Sequence, residues 1–276
     1  MWIADKWRDY EVIDTSGGEK LERWGKYTLI RPDPQVIWNT DKKNPLWRGA
    51  DASYKRSRTG GGAWSENKLP ESWVISYGDL KFRIKPMGFK HTGLFPEQAA
   101  NWDWFAPLIK NSGRKIKLLN LFAYTGGASI AAAKASAFVC HVDASKGMVL
   151  RAKQNATLSG VPGDGIRYIV DDCVKFVERE IKRGNKYDAV ILDPPSFGRG
   201  PKGERWMLEQ SLDNLIGLIT GVISDEPLFV LLNSYTTGLS ASTMAYVLGA
   251  NMKNFGGKVT AEEIGLPVTA SGMVLP

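Results

Sequence analysis

Between residues 113 and 232 the chain repeats one pattern: a short apolar run, a glycine or an acid, then a stretch with helical spacing. Strands alternating with helices imply a parallel sheet, because a parallel neighbour is reached only by a crossover connection. The first unit is LLNLFAYTGGASI at 118–130, a buried strand running into a glycine-broken turn and a helix. Runs at 138–142 and 166–170 end at Asp143 and at Asp171 and Asp172. VILDPPSFGRG at 190–200 ends its strand on Asp193, followed by two prolines and an aromatic, and 228–232 reads as a fifth strand. Residues 258–264 and 273–275 read as weaker late strands.

In an open α/β sheet, ligands bind just beyond the carboxyl ends of the strands, at the switch point. Gly126 and Gly127, Asp143, Asp171 or Asp172, and Asp193 all fall at such ends. Glycines admit close backbone approach. An acid after the second strand can accept from ribose hydroxyls, and one after the third from an exocyclic amine; Asp143 could also cap a helix. The G-x-G-x-x-G of a dinucleotide site is missing. Thr125 to Ser129 suits a smaller group, an amino-acid carboxylate beside an adenosine, which favours S-adenosylmethionine over NAD.

The segments FAYTGGAS, VDAS at 142–145, VDDCVKFV at 170–177 and LDPPSFGRG resemble the motif series of class I S-adenosylmethionine-dependent methyltransferases. More narrowly they resemble the large-subunit ribosomal RNA methyltransferases, and KHTGLFPEQAANW at 90–102 is similar to that family's entry segment. The resemblance implies a Rossmann-like α/β fold, mostly parallel with an antiparallel edge formed by the late strands, and S-adenosylmethionine as cofactor. It implies cofactor contacts from Phe95, Gln98, Phe122, Ala123, Tyr124, Thr125, Gly126, Gly127, Ser129, Asp143, Ala144, Ser145, Asp171, Asp172, Cys173 and Asp193. Asp172 is favoured over Asp171 for the adenine. The catalytic lip is Asp193, Pro194, Pro195, Ser196 and Phe197. Its prolines remove two donors and leave carbonyls to accept from a substrate, while Phe197 can stack on a flipped base. Arg199 and Lys202 follow in a glycine-rich loop suited to a phosphate. Asn233, Ser234 and Tyr235 form the opposite wall.

Two departures from that family matter. Relatives that make 5-methylcytosine carry a cysteine just after the fifth strand, because carbon-5 needs covalent activation. Here LLNSYTTG places Tyr235 at that position, which leaves a nitrogen, or an oxygen, as acceptor. The usual N-terminal PUA-like RNA-binding module is matched poorly.

The N-terminal part alternates short β-rich runs with turn signals: EVID, YTLIR, QVIW, WVISYG and LKFRIKP, with a hairpin turn at 14–18. The expected organisation is a small β domain at 1–88, an entry segment and bridging helix at 89–112, and the Rossmann-like domain at 113–276. Net charge is +7, and Lys42, Lys43, Arg48, Lys55, Arg56 and Arg58 cluster among Trp38, Trp47, Tyr54 and Trp64. Cations meet phosphates and exposed aromatics stack on bases, so RNA is the expected partner; most of the tryptophans read rather as the core of a small β domain. No run approaches the roughly 20 apolar residues that span a bilayer, and the N-terminus carries no secretory pattern. Two cysteines beside buried strands suit a reducing cytoplasm, and with two histidines they form no zinc pattern. A methyltransferase acting on protein or a small molecule, and a non-catalytic binding protein, remain the alternatives at this level.

Overall fold

A computed structural model describes residues 1–57, 61–65, 69–88, 90–199 and 205–276. The chain divides into two units, Met1–Ala100 with Glu263–Pro276, and Asn101–Glu262.

The first unit begins with β1 (Trp2–Ile3), then β2 (Tyr10–Ser16), β3 (Glu19–Trp24) and β4 (Tyr27–Pro32). A four-residue helix α1 (Leu46–Gly49) precedes β5 (Ala52–Arg56) and β6 (Gly62–Trp64), and β7 (Trp73–Tyr77) pairs with β8 (Leu80–Ile84). β2 to β6 form a five-stranded sheet in chain order, with β4 and β5 parallel. The expected hairpin turn forms at Gly17 and Gly18, both with positive φ. QVIW is not a strand: Ile37 is 87% exposed, and the segment serves instead as acceptor for that turn through Trp38 O and Val36 O. Beneath the sheet, buried Glu22 accepts from Tyr10 Oη at 2.6 Å and from Arg31 Nε at 2.6 Å. The neighbouring guanidinium holds the Glu22 carboxyl down at about 2 against its burial.

After a 3₁₀ turn (Pro96–Gln98), α2 (Ala99–Lys110) carries apolar residues at helical spacing at Trp102, Phe105, Ala106 and Ile109; Trp102, Phe105 and Ile109 are buried and Ala106 is half-buried. The second unit then alternates β9 (Lys117–Leu121), α3 (Gly127–Lys134), β10 (Phe138–Asp143), α4 (Lys146–Leu158), β11 (Ile166–Val170), α5 (Cys173–Lys182) and β12 (Ala189–Leu192). β13 (Phe197–Arg199) and β14 (Arg205–Met207) form a hairpin, followed by α6 (Leu208–Thr220), β15 (Phe229–Leu232) and α7 (Ala241–Met252). The central sheet has the order β11-β10-β9-β12-β15, with every pairing parallel. That order reverses direction between β9 and β12, the switch point where such sheets bind ligands. Leu118, Leu119, Leu121, Val139, Val142, Val190 and Leu192 are fully buried, as expected for strands covered on both faces.

The late strands correct an expectation. β16 (Ile264–Pro267) pairs parallel with β1 and antiparallel with β17 (Val274–Leu275), in the first unit. They add no antiparallel edge to the central sheet among the described residues. Among those residues no helix is long and apolar enough to cross a membrane.

Candidate active site

The loop from β9 into α3 is the most constrained part of the second unit. Phe122 and Tyr124 both have positive φ, at 57° and 51°, conformations that non-glycine residues rarely adopt. Strain of this kind persists only where the surroundings over-determine it. Here Ala123 N donates to Val142 O, Tyr124 N to Asp143 Oδ2 at 2.8 Å, and Phe122 N to Cys173 Sγ at 3.2 Å. Asn155 Nδ2 on α4 holds Thr125 O at 3.0 Å. Gly126 caps α3 with φ 88°, and a Cβ there would lie 2.9 Å from Ala152 Cβ. A Cβ on Gly127 would lie 2.7 Å from Trp102 Cζ2. Both glycines therefore have a packing reason of their own.

Two residues expected to meet the cofactor lie beneath this loop rather than on its surface. Ser129 is fully buried; its hydroxyl accepts from Asn120 Nδ2 at 2.8 Å and meets His141 Nδ1 at 2.9 Å. Burial lowers the His141 imidazole to about 3, so it is neutral. Cys173 is buried with its thiol on the Phe122 amide, and burial pushes that thiol far up. Cys140 is buried too, its thiol raised to about 11. A protonated, inaccessible thiol is a poor nucleophile.

The acids stand along the same sheet edge. Asp143 is not the cap of α4; Ser145 is, accepting from Met148 N. Asp143 instead accepts from Tyr124 N and, through Oδ1, from Ser145 N at 2.8 Å. A carboxylate has about four acceptor positions, so capacity remains for hydroxyl donors. Ala144 and Ser145 are exposed beside it. Asp172 caps α5 through Lys175 N and is exposed. Asp171 accepts from Asp172 N and is ion-paired with Arg179. The two acids thus divide, Asp171 held by the protein and Asp172 at the surface. A half-buried carboxylate beside a strained, pinned loop, with a second acid one strand further on, fits an adenosine-bearing ligand.

Across the switch point, Asp193 and Pro194 follow β12, with Pro195 and Ser196 exposed. One carbonyl expected to be open is not: Pro195 O accepts from Trp206 Nε1 at 2.7 Å. Phe197 lies in β13 opposite Met207 and is 53% exposed. Arg199 pairs with Arg205 in the same hairpin, and Lys202 lies outside the described residues. The structure brings the predicted wall to the lip. Asn233 N donates to Leu192 O at 2.8 Å, Thr236 Oγ1 to Ser196 Oγ at 2.7 Å, and Thr236 N to Ser234 Oγ. Tyr235 is 44% exposed, and Asn101 Nδ2 holds Asn233 Oδ1 at 2.9 Å.

Trp206 escaped the sequence reading. Its ring lies 5.8 Å from Phe122 while its N–H holds Pro195, so it ties the loop to the lip. An aromatic just beyond a glycine-rich loop was the available signal. Asn155 and Asn120 were also missed, since buried amides in helix and strand carry no local signature.

Phe95 and Gln98 lie in the first unit, where Phe95 packs on the His91 ring and Gln98 is buried. The aromatics of the basic cluster are bound into that unit. Trp38 donates to Thr15 Oγ1, Trp47 to Asp14 Oδ2 and Trp64 to Met87 O, and Tyr54 is buried. Lys42 pairs with Glu19 and lies over the Trp47 ring, and Lys43 pairs with Asp41. Arg48, Lys55 and Arg56 are exposed; Arg58 lies outside the described residues. Among the described residues no group of three or more His, Cys, Asp or Glu could hold a metal ion.

These features coincide with known proteins. Residues 51–222 match the model of the S-adenosylmethionine-dependent methyltransferase family, more than half of the chain. A candidate ribosomal RNA large subunit methyltransferase of Methanocaldococcus jannaschii is 37% identical over 129 residues, 47% of this chain and 32% of the relative. Ribosomal RNA large subunit methyltransferase K/L of a Shewanella species is 30% identical over 172 residues, 61% of this chain and 23% of the relative. The chain thus matches about a third or less of these curated relatives' length. A crystal structure of an S-adenosylmethionine-dependent methyltransferase from Agrobacterium tumefaciens superposes with a TM-score of 0.85 at 37% identity, covering 91% of this chain and 81% of that one. Sheet order, strand-end acids and matched sequence agree, and the chain belongs to the S-adenosylmethionine-dependent methyltransferase family.

Proposed function

We propose that this chain methylates a nitrogen of a base in RNA, with ribosomal RNA, named for its curated relatives, as the favoured substrate. S-adenosylmethionine, when bound, supplies an activated methyl group. Asp143 would accept from its ribose hydroxyls and Asp172 from its adenine amine, with Asp171 kept aside by Arg179. The loop 122–127 would lie against it. Methyl transfer of this kind is an in-line displacement governed by positioning. Asp193 would hold the N–H of the acceptor base, between the lip and the wall of Asn233, Ser234 and Tyr235. The enzyme would work in the cytoplasm, with its RNA.

The observation that carries nitrogen over carbon is the state of the two thiols. By resemblance Tyr235 takes the position where a carbon-5 enzyme carries its cysteine, and both cysteines present are buried, with burial raising each thiol's pKa. The test incubates the enzyme with methyl-labelled cofactor and RNA, followed by nucleoside mass analysis. A base methylated on nitrogen is expected, with no covalent complex on RNA containing 5-fluorocytosine. Labelled 5-methylcytidine with a trapped adduct, or label confined to protein or small molecules, would overturn the proposal.

A further inference from the structure

The hairpin after the lip has two unlike faces. Its register pairs Phe197 with Met207, Gly198 with Trp206, and Arg199 with Arg205. Side chains alternate along a strand, so Trp206 takes one face and Arg205 and Met207 the other. The Trp206 face is anchored: its N–H holds Pro195 O at 2.7 Å and its ring packs by Phe122. The other face is exposed at three side chains. Phe197 is 53% exposed, Met207 38% exposed, and Arg205 exposed. The exposed Arg205 can meet a phosphate, and a chain of net charge +7 attracts a polyanion.

We infer that the exposed face of this hairpin is a platform for the nucleotide next to the methylated base, with the base on Phe197 and Met207 and the phosphate at Arg205. This rests on the RNA proposal above. A ring surface can be stacked only by an unpaired base, so the platform selects single-stranded segments. Phe197 then serves the neighbouring nucleotide rather than the target. The anchoring of Trp206 to Pro195 fixes the platform at one step from the acceptor.

The test titrates the full chain with a single-stranded oligoribonucleotide, and with the same sequence in a duplex, at several salt concentrations. Phe197→Ala should weaken single-strand binding about tenfold, and Phe197→Tyr should restore it. Arg205→Ala should flatten the log–log salt slope by about 0.7. Cofactor affinity measured on the same variants should not move, which separates a lost platform from a lost fold. RNA bound and methylated by the wild type with unchanged affinity and slope in the variants would overturn the platform and leave the RNA proposal standing. Equal binding of duplex and single strand would also overturn it. A wild type that neither binds nor methylates RNA would bring down both, and capture of an acidic protein by this face would reassign it.

Discussion

Asp143 illustrates how one side chain can serve fold and ligand together. Its carboxylate accepts from Tyr124 N and Ser145 N, and so holds both the strained loop and the start of α4. Charge-assisted acceptor bonds contribute about 1.5–3 kcal/mol each. Asp143→Ala is therefore expected to reduce cofactor affinity about tenfold to a hundredfold by calorimetry, and unchanged affinity would remove Asp143 from the site. The glycines teach the converse. From the motif, Gly126 and Gly127 are ligand approach points; in the structure Ala152 and Trp102 already forbid a Cβ at each. Ser129 belongs to the same motif and points inward to Asn120 and His141. A motif marks which residues are constrained, and only packing shows toward what.

At the scale of elements, the strands of the central sheet were legible because apolar runs ending in acids are local patterns. The hairpin β13–β14 was not, since it lies in a segment that reads as a glycine-rich loop. Its strands form because Trp206 finds both an acceptor and a ring to pack on. Trp206→Phe keeps the ring and deletes the N–H, and a neutral hydrogen bond is worth about 0.5–1.5 kcal/mol. Turnover should fall about twofold to tenfold with the cofactor KM nearly unchanged, because the bond acts on the lip. A rise in cofactor KM with turnover intact would assign Trp206 to the loop alone. QVIW failed as a strand because only Val36 of its apolar residues is buried, while the Val36 and Trp38 carbonyls are used by the turn at Gly17 and Gly18.

For the whole molecule, the charge is the property with a functional reading. In the first unit Lys42 and Lys43 are paired with acids, while Arg48, Lys55 and Arg56 are exposed. If that surface binds RNA, replacing the three exposed cations by alanine should flatten the salt slope by about 0.7 for each phosphate they neutralise, with cofactor affinity untouched. Replacing Lys42 and Lys43 should change the slope less. A slope unaltered by the triple replacement would assign these charges to solvation.

By itself the sequence determined the alternation of strand and helix, the acids at the strand ends, the entry helix and the kinship with methyltransferases. These are short-range properties, written in the periods of side chains and the chemistry of turns. Tertiary structure alone decided that Cys173 supports Phe122 across 51 positions and Asn155 supports Thr125 across 30. It alone closed the Pro195 carbonyl and sent the late strands to β1 instead of the central sheet. Such choices follow from which groups packing brings within bonding distance. A buried amide, thiol or carbonyl takes whatever partner lies there, and nothing in its neighbours along the chain names that partner.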